Sequence, residues 1–213
     1  MSRGFAEIAF TPGVKEQQTR HGSRHLYERA ELQPGAADPL GEAEREFIAE
    51  RDGFYMATVS ETGWPYIQYR GGPNGFLRVL DEKTLGFADL RGNRQYISAG
   101  NLLHDNRVAL FLMDYPQQSR LKILGRAEIH EDNAQAGEWM KKLRLSGEQT
   151  PAERAMVIHV EGFDWNCPQH ITPRYTQQEL AEHLGPTRRR IEGLEKQIES
   201  LKQENERLRA RQA

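Results

Sequence analysis

The sequence holds a single cysteine, Cys167, among its 213 residues. One thiol excludes an internal disulfide framework and fits a reducing compartment. No apolar run approaches the roughly 18 residues that a membrane-spanning helix needs, and Met1-Ser2-Arg3-Gly4 leads into no hydrophobic signal core. These absences predict a soluble, cytoplasmic protein with no membrane partner. A formal net charge of −2 supplies no global field for a nucleic acid, and none is expected as a partner. Neither a Gly-x-Ser-x-Gly elbow nor a His-Glu-x-x-His helix occurs, which argues against a hydrolase. Cys167 and His170 offer half of a metal site at most. The other histidines (His21, His25, His104, His130, His159 and His183) form no cluster at ligand spacing, so no metal is expected.

What is present is a core-forming chain, 37% hydrophobic, long enough for one good core and an appendage. Residues 1–41 read as a lead-in, with a charged helix over 14–31 and a breaker stretch, Gln33-Pro34-Gly35, before Pro39. Residues 42–175 read as the main domain. A helix from Glu42 to Arg51 delivers the chain to strands at Phe54–Val59, Tyr66–Arg70, Phe76–Leu80 and Thr84–Ala88, joined by short turns and so paired antiparallel. After a helix over 93–104 come strands Arg107–Asp114 and Arg120–Ile129, a polar helix Asn133–Leu145 and a last strand Ala155–Phe163. Six to seven antiparallel strands with a helix inserted between hairpins predict a mainly β fold with flanking helices, a closed or partly closed barrel. A doubly wound sheet is disfavoured, because strands and crossover helices do not alternate.

Residues 176–213 are a separate statement. From Pro186 onward, Ile191, Ile198, Asn205 and Gln212 recur at one heptad position, with Leu194, Leu201 and Leu208 at its partner. Arg190 with Glu195 and Glu204 with Arg209 make opposite-sign flanking pairs in a parallel dimer, and a core Asn205 favours two in-register strands. The stretch is therefore a coiled-coil helix, serving a homodimer or a protein partner.

The helix expected at Asn93-Arg94-Gln95-Tyr96-Ile97-Ser98 is the most informative element. Free N–H groups at a helix start attract an anion, Arg94 adds a forked donor and Ser98 a hydroxyl, which together suit a phosphate.

Four stretches taken in order carry a family likeness: 66–73 (Tyr-Ile-Gln-Tyr-Arg-Gly-Gly-Pro), 85–98 (Leu-Gly-Phe-Ala-Asp-Leu-Arg-Gly-Asn-Arg-Gln-Tyr-Ile-Ser), Arg107–Leu112 and Arg120–Ala127. Over residues 43–165 the chain resembles the pyridoxamine 5'-phosphate oxidase-like FMN-binding split-barrel family. The resemblance implies an antiparallel split β-barrel and FMN at the interface of a homodimer, with Arg94 on the flavin phosphate. It implies further contacts from Gln68 and Arg70 on one strand face, from Ala88 and Asp89, and from Arg120 and Lys122, which reach the ring of the partner's site or replace a missing cation. Gln95 stands where many relatives carry that second phosphate cation. The segment 164–174, with Asn166, Cys167 and Gln169, resembles the end of a subgroup and would close over the flavin edge. True pyridoxamine phosphate oxidases end instead in a basic segment, so the classical activity is not expected.

FMN offers a dianionic phosphate, a hydroxylated chain and a flat ring, which call for cations, polar groups and a partly apolar cleft. The functional expectation is an FMN-dependent oxidoreductase acting on a small molecule at the flavin face. A flavin-based redox sensor or carrier is the alternative, as is a deazaflavin or haem-related ligand on the same barrel.

Overall fold

The computed structural model describes residues 1–32, 39–131, 134–145, 150–165 and 168–212. The chain divides into two units, Met1–Ile171 and Thr172–Ala213. In the first unit, helices α1 (Arg3–Ala9), α2 (Pro12–Arg20), α3 (Arg24–Leu32) and α4 (Glu42–Ala49) precede strands β1 (Gly53–Val59), β2 (Pro65–Gly71), β3 (Arg78–Val79) and β4 (Thr84–Leu90). Helix α5 (Ile97–Leu102) follows, then β5 (Arg107–Asp114), β6 (Ser119–His130), α6 (Ala136–Leu143) and β7 (Ala152–Trp165). The second unit contains α7 (Gln177–Gln212). Among the described residues no helix is long and apolar enough to cross a membrane.

The seven strands form one antiparallel sheet in the order β2-β1-β5-β6-β7-β4-β3. Alternation along the strands decides which face is the core: Phe54 and Met56 on β1, Val108, Leu110 and Leu112 on β5, and Leu121 and Ile123 on β6 are all buried. The sheet is rolled. β1 and β4 are separated by three strands, so in a flat sheet they would lie about 19 Å apart at roughly 4.8 Å per strand. Yet the Phe54 ring of β1 meets the Phe87 ring of β4 edge-on at 5.4 Å and stacks on Phe76 at 5.6 Å. One core cluster therefore runs through β1, β4, β5, β6 and β7. β2 and β3 end the ribbon without pairing to each other, so the barrel is split.

β7 is buried on both faces over Ala155–Ile158, because helices cover its outer side. α1, which the sequence reading did not foresee, lies directly on it. Ser2 N donates to Phe163 O and Phe163 N to Ser2 Oγ, both at 2.8 Å. A Cβ on Gly162 would meet Phe5 N at 2.2 Å, so only glycine permits this approach.

Several boundaries differ from the sequence expectation. The helix over 14–31 is two helices, because Gly22 turns the chain at φ +72° between them. The strand at 76–80 shortens to Arg78–Val79, since Phe76 and Leu77 turn into the core instead. The last strand extends to Ala152–Trp165, and the polar helix contracts to Ala136–Leu143. The final helix starts at Gln177 and carries Pro186 inside it. The fold class stands: a mainly β, seven-stranded antiparallel split barrel with flanking helices and a long C-terminal helix.

Candidate functional site

The open seam of the barrel brings β2 against β4, the first and sixth strands of the ribbon. Arg70 on β2 crosses that seam to Asp89 on β4, Nη1 to Oδ1 at 2.6 Å, with both side chains largely buried. Arg154, beside Asp89 in the β4–β7 register, is 6% exposed and approaches Asp89, Glu131 and Glu153 at 3.7, 3.2 and 3.2 Å. Its guanidinium also sits 4.9 Å from the centre of the Tyr96 ring, at cation–π distance. Arg91 reaches Glu153 at 3.0 Å.

Arg70, Asp89 and Arg154 line a recess together with Tyr66, Gln68, Leu90, the 92–99 segment and Glu153, whereas Arg91 and Glu131 lie outside the lining. On the lining three arginines (Arg70, Arg94 and Arg154) face two carboxylates (Asp89 and Glu153), which leaves the recess cationic. The Nε atoms of Arg70 and Arg154 are buried without a hydrogen-bond partner. A buried donor left in that state is costly unless a ligand or water meets it. Burial pushes the Asp89 carboxyl above its ordinary value, while Arg70 and Arg154 pull against that shift.

The segment expected to open the helix behaves differently. Arg94 and Tyr96 take φ values of +60° and +54°, left-handed positions that a right-handed helix cannot contain. Helix α5 thus starts at Ile97, and its six residues leave Arg94 in the preceding loop. Asn93 Oδ1 accepts from Gln95 N at 3.1 Å and holds the loop. The cationic character of the recess accordingly comes from side chains and not from a helix dipole at Arg94. Arg94 is exposed, and its hydrogen bond with the Tyr96 phenol holds its guanidinium above the usual value.

Ser98 is buried and its hydroxyl donates to Gln68 Oε1 at 3.2 Å, tying α5 to β2. Asn101 Nδ2 donates to Thr58 Oγ1 at 2.9 Å and ties α5 to β1. Ser98 thus positions the loop from within the recess lining, with its hydroxyl proton engaged by Gln68.

Of the sequence-predicted residues, the recess gathers Gln68, Arg70, Asp89, Arg94, Gln95 and Ser98. Ala88 sits next to Asp89 on β4, opposite Ala155, and is not on the lining. Arg120 and Lys122 lie on the outer face of β6, away from it. Arg120 stands 5.4 Å over the Phe111 ring, and Lys122 pairs with Asp164 at 2.7 Å and lies over Phe5. Gln169 is exposed in a turn, whereas Asn166 and Cys167 lie outside the described residues. Tyr66, Tyr96, Glu153 and Arg154 were missed. Arg154 carried the signal: a lone arginine adjoining the apolar run Ala155-Met156-Val157-Ile158. Among the described residues no group of histidine, cysteine and acidic side chains could hold a metal.

One chain encloses little at this recess, with a cavity volume of ≈ 50 Å³. Sites that enclose a drug-sized ligand run to about 300–1,000 Å³. Next to it, the outer face of the sheet is conspicuously apolar. Tyr69, Tyr55, Phe111 and Lys122 form one cross-strand row from β2 to β6, and Ile67 and Tyr69 are 62% and 55% exposed.

Among solved structures, an FMN-binding protein from Syntrophomonas wolfei is 16% identical, with 73% of this chain and 95% of that one covered at a TM-score of 0.43. HupZ of Group A Streptococcus is 18% identical, covering 63% and 98% at 0.45. A protein from Clostridium acetobutylicum, related to general stress protein 26 of the pyridoxinephosphate oxidase family, is 18% identical, covering 64% and 94% at 0.43. No curated protein matches the chain. The assignment rests on the family model described as pyridoxamine 5'-phosphate oxidase, which matches residues 40–166, from the residue before α4's cap to one residue past β7. The chain belongs to the pyridoxamine 5'-phosphate oxidase family.

Proposed function

We propose that this protein is an FMN-binding flavoprotein, an oxidoreductase that handles a small molecule at a flavin held between two copies of the chain. The observation that carries the reading is the pair of buried guanidinium groups, Arg70 and Arg154, whose Nε atoms lack a hydrogen-bond partner and whose side chains line a cationic recess that also holds Arg94. These groups suit FMN: Arg94 meets the phosphate, and Arg154 supplies the second cation that Gln95 does not. Gln68 and Asp89 face the hydroxylated chain and the ring edge, and Tyr66, Leu90 and Tyr96 offer apolar wall. Bound there, FMN would supply hydride or electron transfer, while the protein holds it and excludes water.

The small cavity supports a second copy as the missing wall. The row of exposed Tyr55 and Tyr69 and half-buried Phe111 is the apolar surface such a copy would cover. Arg120 and Lys122 share that outer face and are the cations this reading offers to the partner's site.

Titration of FMN and riboflavin into Arg94→Ala tests the phosphate assignment. Arg94 is exposed, so its charged contact is worth about 1.5 kcal/mol, the low end for such bonds, or roughly 10-fold in Kd. FMN should weaken by that factor and riboflavin hardly at all. Equal losses for both ligands would refute the assignment.

A further inference from the structure

Helix α7 is unbroken over 36 residues, about 54 Å at 1.5 Å per residue. Its heptads begin earlier than the stretch after Pro186 shows. Leu180 joins Leu194, Leu201 and Leu208 at one core position, and Leu184 joins Ile191 and Ile198 at the other. All seven side chains are exposed, between 41% and 58%. Gly185 and Pro186 do not interrupt this stripe, because they fall at the two positions after the Leu184 core site, on the solvent side. The hydrogen bond Pro186 cannot donate would have gone to the Glu182 carbonyl, which lies on the outermost line of the helix, open to water.

We propose that this stripe is the seam of a parallel, in-register, two-stranded coiled coil with a second copy of the chain. The inference deepens the homodimer of the proposed function and rests on it for the partner's identity. Charge and the core amide together choose the direction. In the parallel arrangement Arg190 faces the other copy's Glu195, Glu204 faces its Arg209, and Gln197 meets Lys202 without conflict. Asn205 then meets Asn205, where two amides can bond to each other. Three antiparallel registers also pair the core positions. The one that centres the stripe best sets Leu184 against Leu201 and Arg188 against Glu195, but it buries Asn205 beside Leu180. A second sets Glu195 against itself and Arg188 against Lys202. The third sets Arg190 against Arg211 and Arg188 against Arg209, and buries Asn205 beside Leu194. The second and third place like charges together, and the first and third leave an amide unpaired in the core.

Single-cysteine crosslinking of the full chain, in a Cys167→Ser background, tests the direction. Leu201→Cys should oxidise to a covalent dimer as the dominant product, because core positions of this kind face each other only in the parallel pair. Glu195→Cys meets its own copy only in an antiparallel register and should give little. A Glu195→Cys dimer without a Leu201→Cys dimer overturns the proposal, as does the absence of both. Charge exchange is the second measurement. Glu204→Arg should weaken association by sedimentation, and adding Arg209→Glu should restore it. In the antiparallel registers Glu204 faces His183, Arg190 or Gln197 and never Arg209, so no restoration would result and the proposal would fail. A chain that sediments as a monomer refutes the homodimer itself, whereas a dimer that resists crosslinking at Leu201→Cys refutes only the seam.

Discussion

Arg154→Ala probes the charge cluster at the barrel seam most sharply. The guanidinium is 6% exposed and lies among Asp89, Glu131 and Glu153 at 3.7, 3.2 and 3.2 Å. Removing one partner of a buried ionic cluster typically costs about 3–5 kcal/mol, because the remaining charges lose their compensation. Here Glu131 is 41% exposed and recovers water, which places the cost near the low end, about 3 kcal/mol. For a unit of this size each kcal/mol moves the melting temperature by roughly 2–4 °C, so a fall of about 6–12 °C is expected. Arg154→Lys should recover part of that loss and no more, since one ammonium cannot serve three carboxylates in a fixed fork. Differential scanning calorimetry reads both values. A melting temperature for Arg154→Ala within about 2 °C of the parent, less than 1 kcal/mol by the same conversion, would show that the cluster does not hold the seam.

The seam also predicts a pH dependence. Burial holds the folded Asp89 carboxyl above its unfolded value of about 3.8, so the folded state binds the proton more tightly. The Asp89 contribution is then present below that value and is lost as pH rises through the folded pKa. Asp89→Asn should flatten this part of the stability–pH curve above pH 4, and an unchanged slope in chemical denaturation would contradict it. Gly162→Ala should push α1 off β7, because the added Cβ would sit 2.2 Å from Phe5 N, at a cost of about 1–3 kcal/mol. Faster hydrogen exchange at residues 3–9 would report it, and unchanged protection would show that α1 is not held there.

Much of the fold was legible because alternation is a strong signal where one strand face is buried. β1, β5 and β6 each alternate, and their positions followed directly from Phe54, Met56, Val108, Leu110, Leu121 and Ile123. α1 was not legible: Arg3–Ala9 has no long amphipathic period, and it is held by Ser2 and Gly162 through contacts 161 residues apart in sequence. Part of the recess was legible, since Gln68, Arg70, Asp89, Arg94, Gln95 and Ser98 are polar groups on or beside strands. What the sequence could not show was backbone handedness at Arg94 and Tyr96, which moved the helix start to Ile97. Nor could it show that the pairing of β4 with β7 would set Arg154 directly opposite Asp89.

The absorption spectrum of the protein as purified, with mass spectrometry of the ligand released on denaturation, tests the central claim most directly. The account predicts flavin bands and a released species with the mass of FMN, near one per chain. A colourless protein that also leaves the fluorescence of added FMN unquenched, or one that releases a different ligand, would contradict it.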